Sequence, residues 1–152
     1  MFTSTQEVAD FISEQNIELV DVRFCDVPGV QQHFTIPVSE FLDAALSDGL
    51  MFDGSSVRGF TAIHESDMKL IPDISSSFVD PFRDRKTLVV NFSIVDPFTD
   101  EPFSRDPRQV AAKAEAYLRS TGIADECFIG AEAEFYLFDD VRYQVTPHNT
   151  FF

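Results

Sequence analysis

The chain has 152 residues, of which 44% are hydrophobic and 24% charged, an ordinary composition for a soluble globular protein of one domain or slightly more. Its formal net charge of −15 argues against nucleic acid and anionic membranes as partners, because both require basic surfaces. No apolar run is long enough to span a membrane, and the first residues lack the basic and apolar regions of a signal peptide.

Residue types that often bind metals or nucleotides give little signal. Cys25 and Cys127 have no metal-type spacing and lie among apolar residues, which predicts two buried free thiols in the reducing cytosol of a cytoplasmic protein. His33, His64 and His148 form no HxH or HxxxH pair, so we expect no histidine metal site within these residues. Neither a Walker A sequence nor GxGxxG is present.

The first part of the chain predicts a helix, a hairpin and a second helix. Ser4-Thr5-Gln6-Glu7 fits a capping box, and the apolar spacing that follows predicts an amphipathic helix over 5–15. Strands are predicted over 17–25 and 30–36, joined by turn chemistry at 26–29. A helix opened by Pro37 and closed by Gly49 follows.

The middle of the chain predicts a long loop and two further strands. Residues 49–66 contain three glycines without periodicity, which is typical of a functional loop. A short strand over 68–71 ends at Pro72, and residues 73–86 are predicted to be coil. Residues 87–95 alternate as a strand, whose inward positions are Leu88, Val90, Phe92 and Ile94.

The end of the chain predicts a linker and a third helix. Residues 96–102 break the strand pattern, and Asp106 then caps a helix that has Pro107 in its first turn and ends at Gly122. The apolar stripe of this helix consists of Val110, Ala114, Tyr117 and Leu118. Together these elements predict an α+β fold with a helix packed on one face of a sheet.

A pair of glutamates marks the last predicted strand, over 127–138. Alternation places Glu132 and Glu134 on one face, with Cβ atoms about 6–7 Å apart, and puts the apolar side chains on the other. Two carboxylates this close repel each other unless a cation neutralises them, and Mg²⁺ or Mn²⁺ prefers carboxylate oxygen. A half-exposed strand with a polar face of glutamates explains the same pattern.

The segment Phe52-Asp53-Gly54-Ser55-Ser56 is a second candidate site, within the long loop. Asp53 and the two hydroxyls could present acceptors to a small polar ligand, although an ordinary Asp-Gly turn has the same sequence. Asp67 is equally ambiguous by itself. The unit after the linker has too few elements to bury a core, and the chain stops at Phe151-Phe152, so we expect a fragment.

Three segments in combination resemble bacterial type I glutamine synthetase. They read FDGSSVRGF at 52–60, ESDMKLIPD at 65–73 and GAEAEFYLF at 130–138, in the order and spacing of that family. The motif Ser104-Arg105-Asp106-Pro107-Arg108 lies where the family enters its catalytic domain. The resemblance implies a β-grasp domain over 1–103 and an incomplete start of the catalytic domain over 104–152.

The resemblance also implies a reaction and a role for each site residue. The family joins ammonia to L-glutamate with ATP, through γ-glutamyl phosphate. Glu132 would hold the metal that bridges the ATP phosphates, and Glu134 the metal nearer glutamate. Asp53 would bind ammonium and take its proton, with Ser56 beside it, and Asp67 would steady the flap over the intermediate.

Assembly is a further implication of the resemblance. In this family the Asp53 loop reaches into the neighbouring subunit's site, within a dodecamer of two hexameric rings. Ala131 and Ala133 replace prolines common in the family. The other metal ligands, the arginines for glutamate and phosphate, and the segment with the adenylylated tyrosine are absent from these residues. We therefore expect the chain to be inactive alone.

Two alternatives remain open. A γ-glutamyl-polyamine synthetase would use the same scaffold on another amine, although Asp53-Gly54-Ser55-Ser56 favours ammonia. A non-catalytic acidic β-grasp interaction module is the alternative from another class. Such a module has no need of two aligned carboxylates, so Glu132 and Glu134 distinguish the two.

Overall fold

The computed structural model describes residues 2–152 of the chain. Its centre is a five-stranded sheet in the order β2-β1-β5-β4-β3. Adjacent strands are antiparallel, except β1 and β5, which are parallel. The strands are β1 Leu19–Cys25, β2 Gln31–Pro37, β3 Leu50–Asp53, β4 Asp67–Val79 and β5 Thr87–Val95. This mixed sheet with its helices confirms the predicted α+β class.

The first helix, α1, spans Thr5–Gln15 as predicted. Ser4 caps it by accepting a hydrogen bond from the Glu7 N–H at 3.2 Å. The Glu7 carboxylate accepts from the Thr3 N–H at 2.7 Å. In the predicted capping box it would accept from the N–H of Ser4, one residue later. Asn16 ends the helix in the left-handed region, with φ of 52°.

A second helical segment, α2 (38–48), packs beside α1 on the same core. It consists of α-helical turns at Val38–Glu40 and Leu46–Asp48 around a π-helical turn at Phe41–Ala45. Phe41 and Ala45 are buried, as are Val8 and Ile12 of α1. They belong to one hydrophobic core with the inward residues of β1 and β5, including Leu88, Val90, Phe92 and Ile94, as predicted.

The prediction for residues 68–86 is wrong in part. β4 continues through Pro72 to Val79 instead of ending there, with a register shift against β5 between Asp73 and Phe78. β3 pairs with β4 only as far as Leu70, so the edge beside Pro72 carries no strand, and proline is tolerated at such an edge. Residues 50–53, which we predicted as loop, form β3.

The predicted linker is an ordered turn. The Asp96 carboxylate accepts from the N–H groups of Phe98 and Thr99 at 2.8 and 2.9 Å, and Val95 pairs with Pro102. The next helix, α3, spans Pro107–Thr121 and begins and ends as predicted. Its apolar stripe, however, is mostly exposed, because no described element covers it.

The final segment differs most from expectation. Residues 127–138 form no strand, and both their faces are exposed, including Phe128 at 91% and Leu137 at 89%. A short hairpin of β6 Gln144–Val145 and β7 Thr150–Phe151 follows. The prediction of two buried thiols is also wrong, since Cys25 is half-buried and Cys127 is exposed, although both are free. Over residues 2–152, no helix has the length and apolar character needed to cross a membrane.

Candidate active-site loop

Asp53 is the last residue of β3, at the edge of the sheet. Its Oδ1 accepts hydrogen bonds from the Ser55 N–H at 2.8 Å and the Ser55 hydroxyl at 2.6 Å. Its Oδ2 accepts from the Ser56 hydroxyl at 2.8 Å. Asp53 therefore caps the short 3₁₀ turn Gly54–Ser56, and the two serines of that turn fix the orientation of its carboxylate.

These hydrogen bonds also favour the charged form of the carboxylate. The Ser55 hydroxyl, then the Ser56 hydroxyl and the Ser55 N–H, lower the pKa of Asp53 below its usual value. The side chain is exposed to solvent, so the anion is accessible. An exposed, oriented anion with two hydroxyls beside it can bind a small cation through oxygen acceptors.

Gly54 is required by close packing. Its N–H donates to the Ser66 carbonyl at 2.6 Å, which brings the two ends of the loop together. A Cβ at this position would lie 2.7 Å from the Met68 Cγ and 2.9 Å from the Thr61 Oγ1. The sequence correctly placed a tight turn here, and the structure shows that the reason for glycine is space.

Asp67, the first residue of β4, is the direct cross-strand partner of Asp53. Directly paired residues share a face of the sheet. The two carboxylates, which we considered separately from the sequence, are therefore neighbours in the fold. Asp67 is exposed and lines an open pocket of about 550 Å³, together with Thr61, His64, Asp96 and Phe103; Asp53 is not among the residues that line it.

Three residues after the predicted linker hold this region to the sheet, and of their contacts the sequence predicted only the capping of α3 by Asp106. Arg105 donates to the carbonyls of Gly59 and Phe60, and Asp106 accepts from the N–H groups of Ile94 and Arg108. Burial raises the pKa of the Asp106 carboxyl. The Arg108 guanidinium pairs with Asp73 of β4. The charged residues Arg105 and Arg108 were the only sequence signal for the two remaining contacts, and the sequence does not show which partners they bind.

Glu132 and Glu134 are exposed and lie in the irregular segment, apart from the Asp53 loop in the fold. The predicted strand is absent because a strand needs a hydrogen-bonded neighbour, and residues 2–152 provide none there. Within that range no three His, Cys, Asp or Glu side chains are grouped to hold a metal ion. The two carboxylates have the hard oxygen donors that Mg²⁺ prefers, but they form no complete ligand set.

Comparison with known families decides the affiliation. Residues 16–97 match the model of the glutamine synthetase β-grasp domain, and residues 104–152 match the model of the glutamine synthetase catalytic domain. The chain belongs to the glutamine synthetase family. The resemblance seen in its motifs and the predicted β-grasp fold are thereby confirmed.

Individual relatives agree with this assignment. Glutamine synthetase of Frankia alni is 57% identical over 99% of this chain and 32% of its own length. Those of Mycobacterium tuberculosis and Rhodobacter capsulatus are 56% and 48% identical, over 30% and 33% of their lengths. The chain thus spans about a third of the length of the curated relatives it matches.

Solved structures share the fold. A Plasmodium falciparum glutamine synthetase structure superposes with a TM-score of 0.77 at 21% identity, covering 99% of this chain and 29% of that one. The structure of a GmaS–ADP complex gives 0.63 at 26% identity over 75% of this chain and 25% of that one.

Proposed function

We propose that this chain supplies the ammonium-binding loop and two metal-binding glutamates of a glutamine synthetase. The reaction is the ATP-dependent formation of L-glutamine from L-glutamate and ammonia, through γ-glutamyl phosphate. The observation that carries the proposal is the Asp53 carboxylate, which is exposed and is oriented by hydrogen bonds from Ser55 and Ser56. Family membership supplies the reaction class.

Asp53, Ser56 and Asp67 have distinct parts in this proposal. Asp53 binds ammonium through its free carboxylate lone pairs, and the cross-strand carboxylate of Asp67 adds a second negative charge at the same edge. The charge of Asp53 attracts ammonium, but its lowered pKa makes it a weak base. Proton transfer from ammonium to Asp53 therefore requires the Ser55 and Ser56 hydroxyls to release the carboxylate first. Asp67 also steadies the loop that covers the intermediate.

Glu132 and Glu134 would each hold one divalent metal, Mg²⁺ or Mn²⁺. Bound metals of this kind neutralise phosphoryl oxygens and polarise the acceptor carboxylate. Within residues 2–152 no third ligand is grouped with these two carboxylates, so in this proposal further ligands come from the part of the relatives that this chain does not span. Residues 127–138 gain their strand partners from the same part.

Domain organisation and assembly follow from the same proposal. Residues 1–103 form the β-grasp domain, and residues 104–152 begin a catalytic domain. The Asp53 loop lies at an exposed sheet edge, which suits a site on a neighbouring subunit in a dodecamer of two hexameric rings. The compartment is the cytoplasm, where ATP and glutamate are available.

A fusion protein tests the proposal. In this fusion, residues 1–152 replace the aligned part of the Frankia alni glutamine synthetase, and the remaining two-thirds of that enzyme follow. We expect ammonia-dependent glutamine formation from the fusion and none from the 152-residue chain. Asp53→Asn in the fusion should abolish the use of ammonia, whereas Asp43→Asn on the exposed side of α2 should not. Activity in Asp53→Asn would refute the proposal.

A further inference from the structure

Arg105 bridges the start of α3 and the loop that follows Asp53. Its Nη1 donates to the Phe60 carbonyl at 2.6 Å and to the Gly59 carbonyl at 3.1 Å. The two acceptors are consecutive carbonyls in the loop, and the donor lies 45 residues further along the chain. A hydrogen bond from a charged donor is stronger than one between neutral groups, so this contact is a substantial restraint on an otherwise exposed loop.

The backbone segment that carries Arg105 is hydrogen-bonded to the sheet on both sides. The Phe103 N–H donates to the Ile94 carbonyl at 2.9 Å, and the Asp106 carboxylate accepts from the Ile94 N–H at 2.9 Å. Both bonds attach the segment to the same residue of the central strand β5. Because Asp106 is buried and also caps α3, Arg105 projects from a rigid part of the molecule.

Phe60, which accepts a hydrogen bond from Arg105, packs against the residue that precedes Asp53. Phe60 is 1% exposed, and its ring packs edge-on against Phe103 at 5.3 Å and against Phe52 at 6.5 Å. Phe52 immediately precedes Asp53 in β3. A shift of the Phe60 backbone would therefore disturb the packing of Phe52 and, through it, the end of the strand that carries the carboxylate.

We infer that Arg105 is a positioning residue that holds the Asp53 loop in register with the sheet and with the start of the catalytic domain. This role rests on the proposed function of Asp53. It implies that the Arg105 guanidinium, together with the packing of Phe60 against Phe103, couples the start of α3 to the ammonium-binding loop. Arg108, three residues later, pairs instead with Asp73 of β4, so the two arginines attach the start of α3 to different parts of the fold.

Amide hydrogen exchange of the 152-residue chain tests the restraint. Arg105→Met removes the donors and keeps the length of the side chain, and Arg105→Lys restores a charged donor. We expect exchange in residues 54–66 to be about tenfold faster in Arg105→Met, partly restored in Arg105→Lys, and unchanged in β1 and β5. Arg119→Met removes the same charge at the far end of α3 and should leave the loop unaffected. Unchanged loop exchange, or equal acceleration throughout the sheet, would overturn the inference.

Kinetics of the fusion with the Frankia alni enzyme test the consequence for function. Arg105→Met should raise the KM for ammonium about tenfold and leave the KM for ATP unchanged, because only the loop is released. An unchanged KM for ammonium, with Asp53→Asn inactive, would overturn the role of Arg105 and leave the proposed function standing. Normal use of ammonia by Asp53→Asn would instead remove the proposed function, and the role of Arg105 with it.

Discussion

Asp53 and Asp67 are paired directly across the β3–β4 ladder, so two carboxylates share one face at the exposed edge of the sheet. Like charges in this arrangement destabilise a strand pair. The pairing does not serve stability, and a bound cation would relieve it.

Removal of the repulsion should make the chain more stable. We expect Asp67→Asn to raise the thermal midpoint of the 152-residue chain by about 2 °C at low ionic strength. Thermal unfolding followed by circular dichroism measures this. The gain should shrink in about 0.5 M NaCl because salt screens exposed charges. Glu65→Gln, which removes a charge from the neighbouring turn, is the control. A gain that persists at high salt would contradict the repulsion.

Gly54→Ala should destabilise the loop through steric conflict. The new Cβ would lie 2.7 Å from the Met68 Cγ and 3.2 Å from the Ser66 carbonyl oxygen, and that oxygen cannot move away without weakening its hydrogen bond from the Gly54 N–H. We expect the free energy of unfolding to fall by about 2 kcal/mol in urea titrations. Gly130→Ala is the matched control, because nothing lies within 4 Å of its Cβ position. Equal effects of the two substitutions would show that the close packing at Gly54 is not rigid.

A buried carboxylate on β1 predicts how stability depends on pH. Burial alone would raise the pKa of Asp21, but hydrogen bonds from Arg23, His33 and Thr35 outweigh it and lower the pKa. A lowered folded-state pKa contributes stability that is complete above the unfolded-state pKa and is lost as the pH falls through the folded-state pKa.

Asp21→Asn should therefore lose stability at pH 7 and show a weaker dependence on acid. The substitution leaves the guanidinium of Arg23 with Asp80 as its remaining ionic partner, and we expect a loss of about 3 kcal/mol at pH 7. Urea unfolding at pH 7 and at progressively lower pH, below the usual range of an aspartate, measures both effects. Asp43→Asn, at an exposed carboxylate, should change neither. A parallel acid loss in Asp21→Asn and the parent chain would place the pH dependence elsewhere.

The carboxylates of residues 132 and 134 are expected to matter for turnover and not for folding. Each side chain is exposed, so Glu132→Gln or Glu134→Gln should leave the stability of the 152-residue chain unchanged. In the fusion with the Frankia alni enzyme, each should lower activity by about a hundredfold, because removal of one ligand charge weakens a metal site. Normal Mn²⁺ binding and turnover in both variants would mean that these glutamates are not ligands.

The sequence predicted what depends on neighbouring residues and missed what depends on distant ones. The capping of α1 by Ser4 and of α3 by Asp106, and the turn at Gly54, are local and were correct. The pairing of Asp53 with Asp67 depends on strand register, and the bond from Arg105 to Phe60 depends on tertiary packing. Periodicity carries neither kind of information. The strand predicted around Glu132 is absent for a third reason: alternation describes the faces of a strand but cannot supply its hydrogen-bonded partner.

We expect Asp53 and Glu132 of one subunit to act in different active sites. Asp53→Ala should prevent ammonium binding but spare the formation of γ-glutamyl phosphate, which needs no ammonia. In the fusion, Asp53→Ala and Glu132→Gln subunits should each be inactive alone. If the Asp53 loop reaches a neighbouring subunit's site, dissociation and joint reassembly must create some sites in which both residues are intact.

Recovery of turnover in the mixed assembly should be partial, because only an intact loop that meets an intact neighbouring Glu132 forms a complete site. Ammonia-dependent glutamine formation measures the recovery, and native mass spectrometry confirms that the subunits have mixed. Reassembly of either variant alone is the control. The location of Asp53 at an open sheet edge, where nothing within residues 2–152 covers it, is the reason to expect recovery. A mixed assembly with no recovery would place Asp53 and Glu132 in one subunit's site, and the loop would then have to fold back over its own catalytic domain.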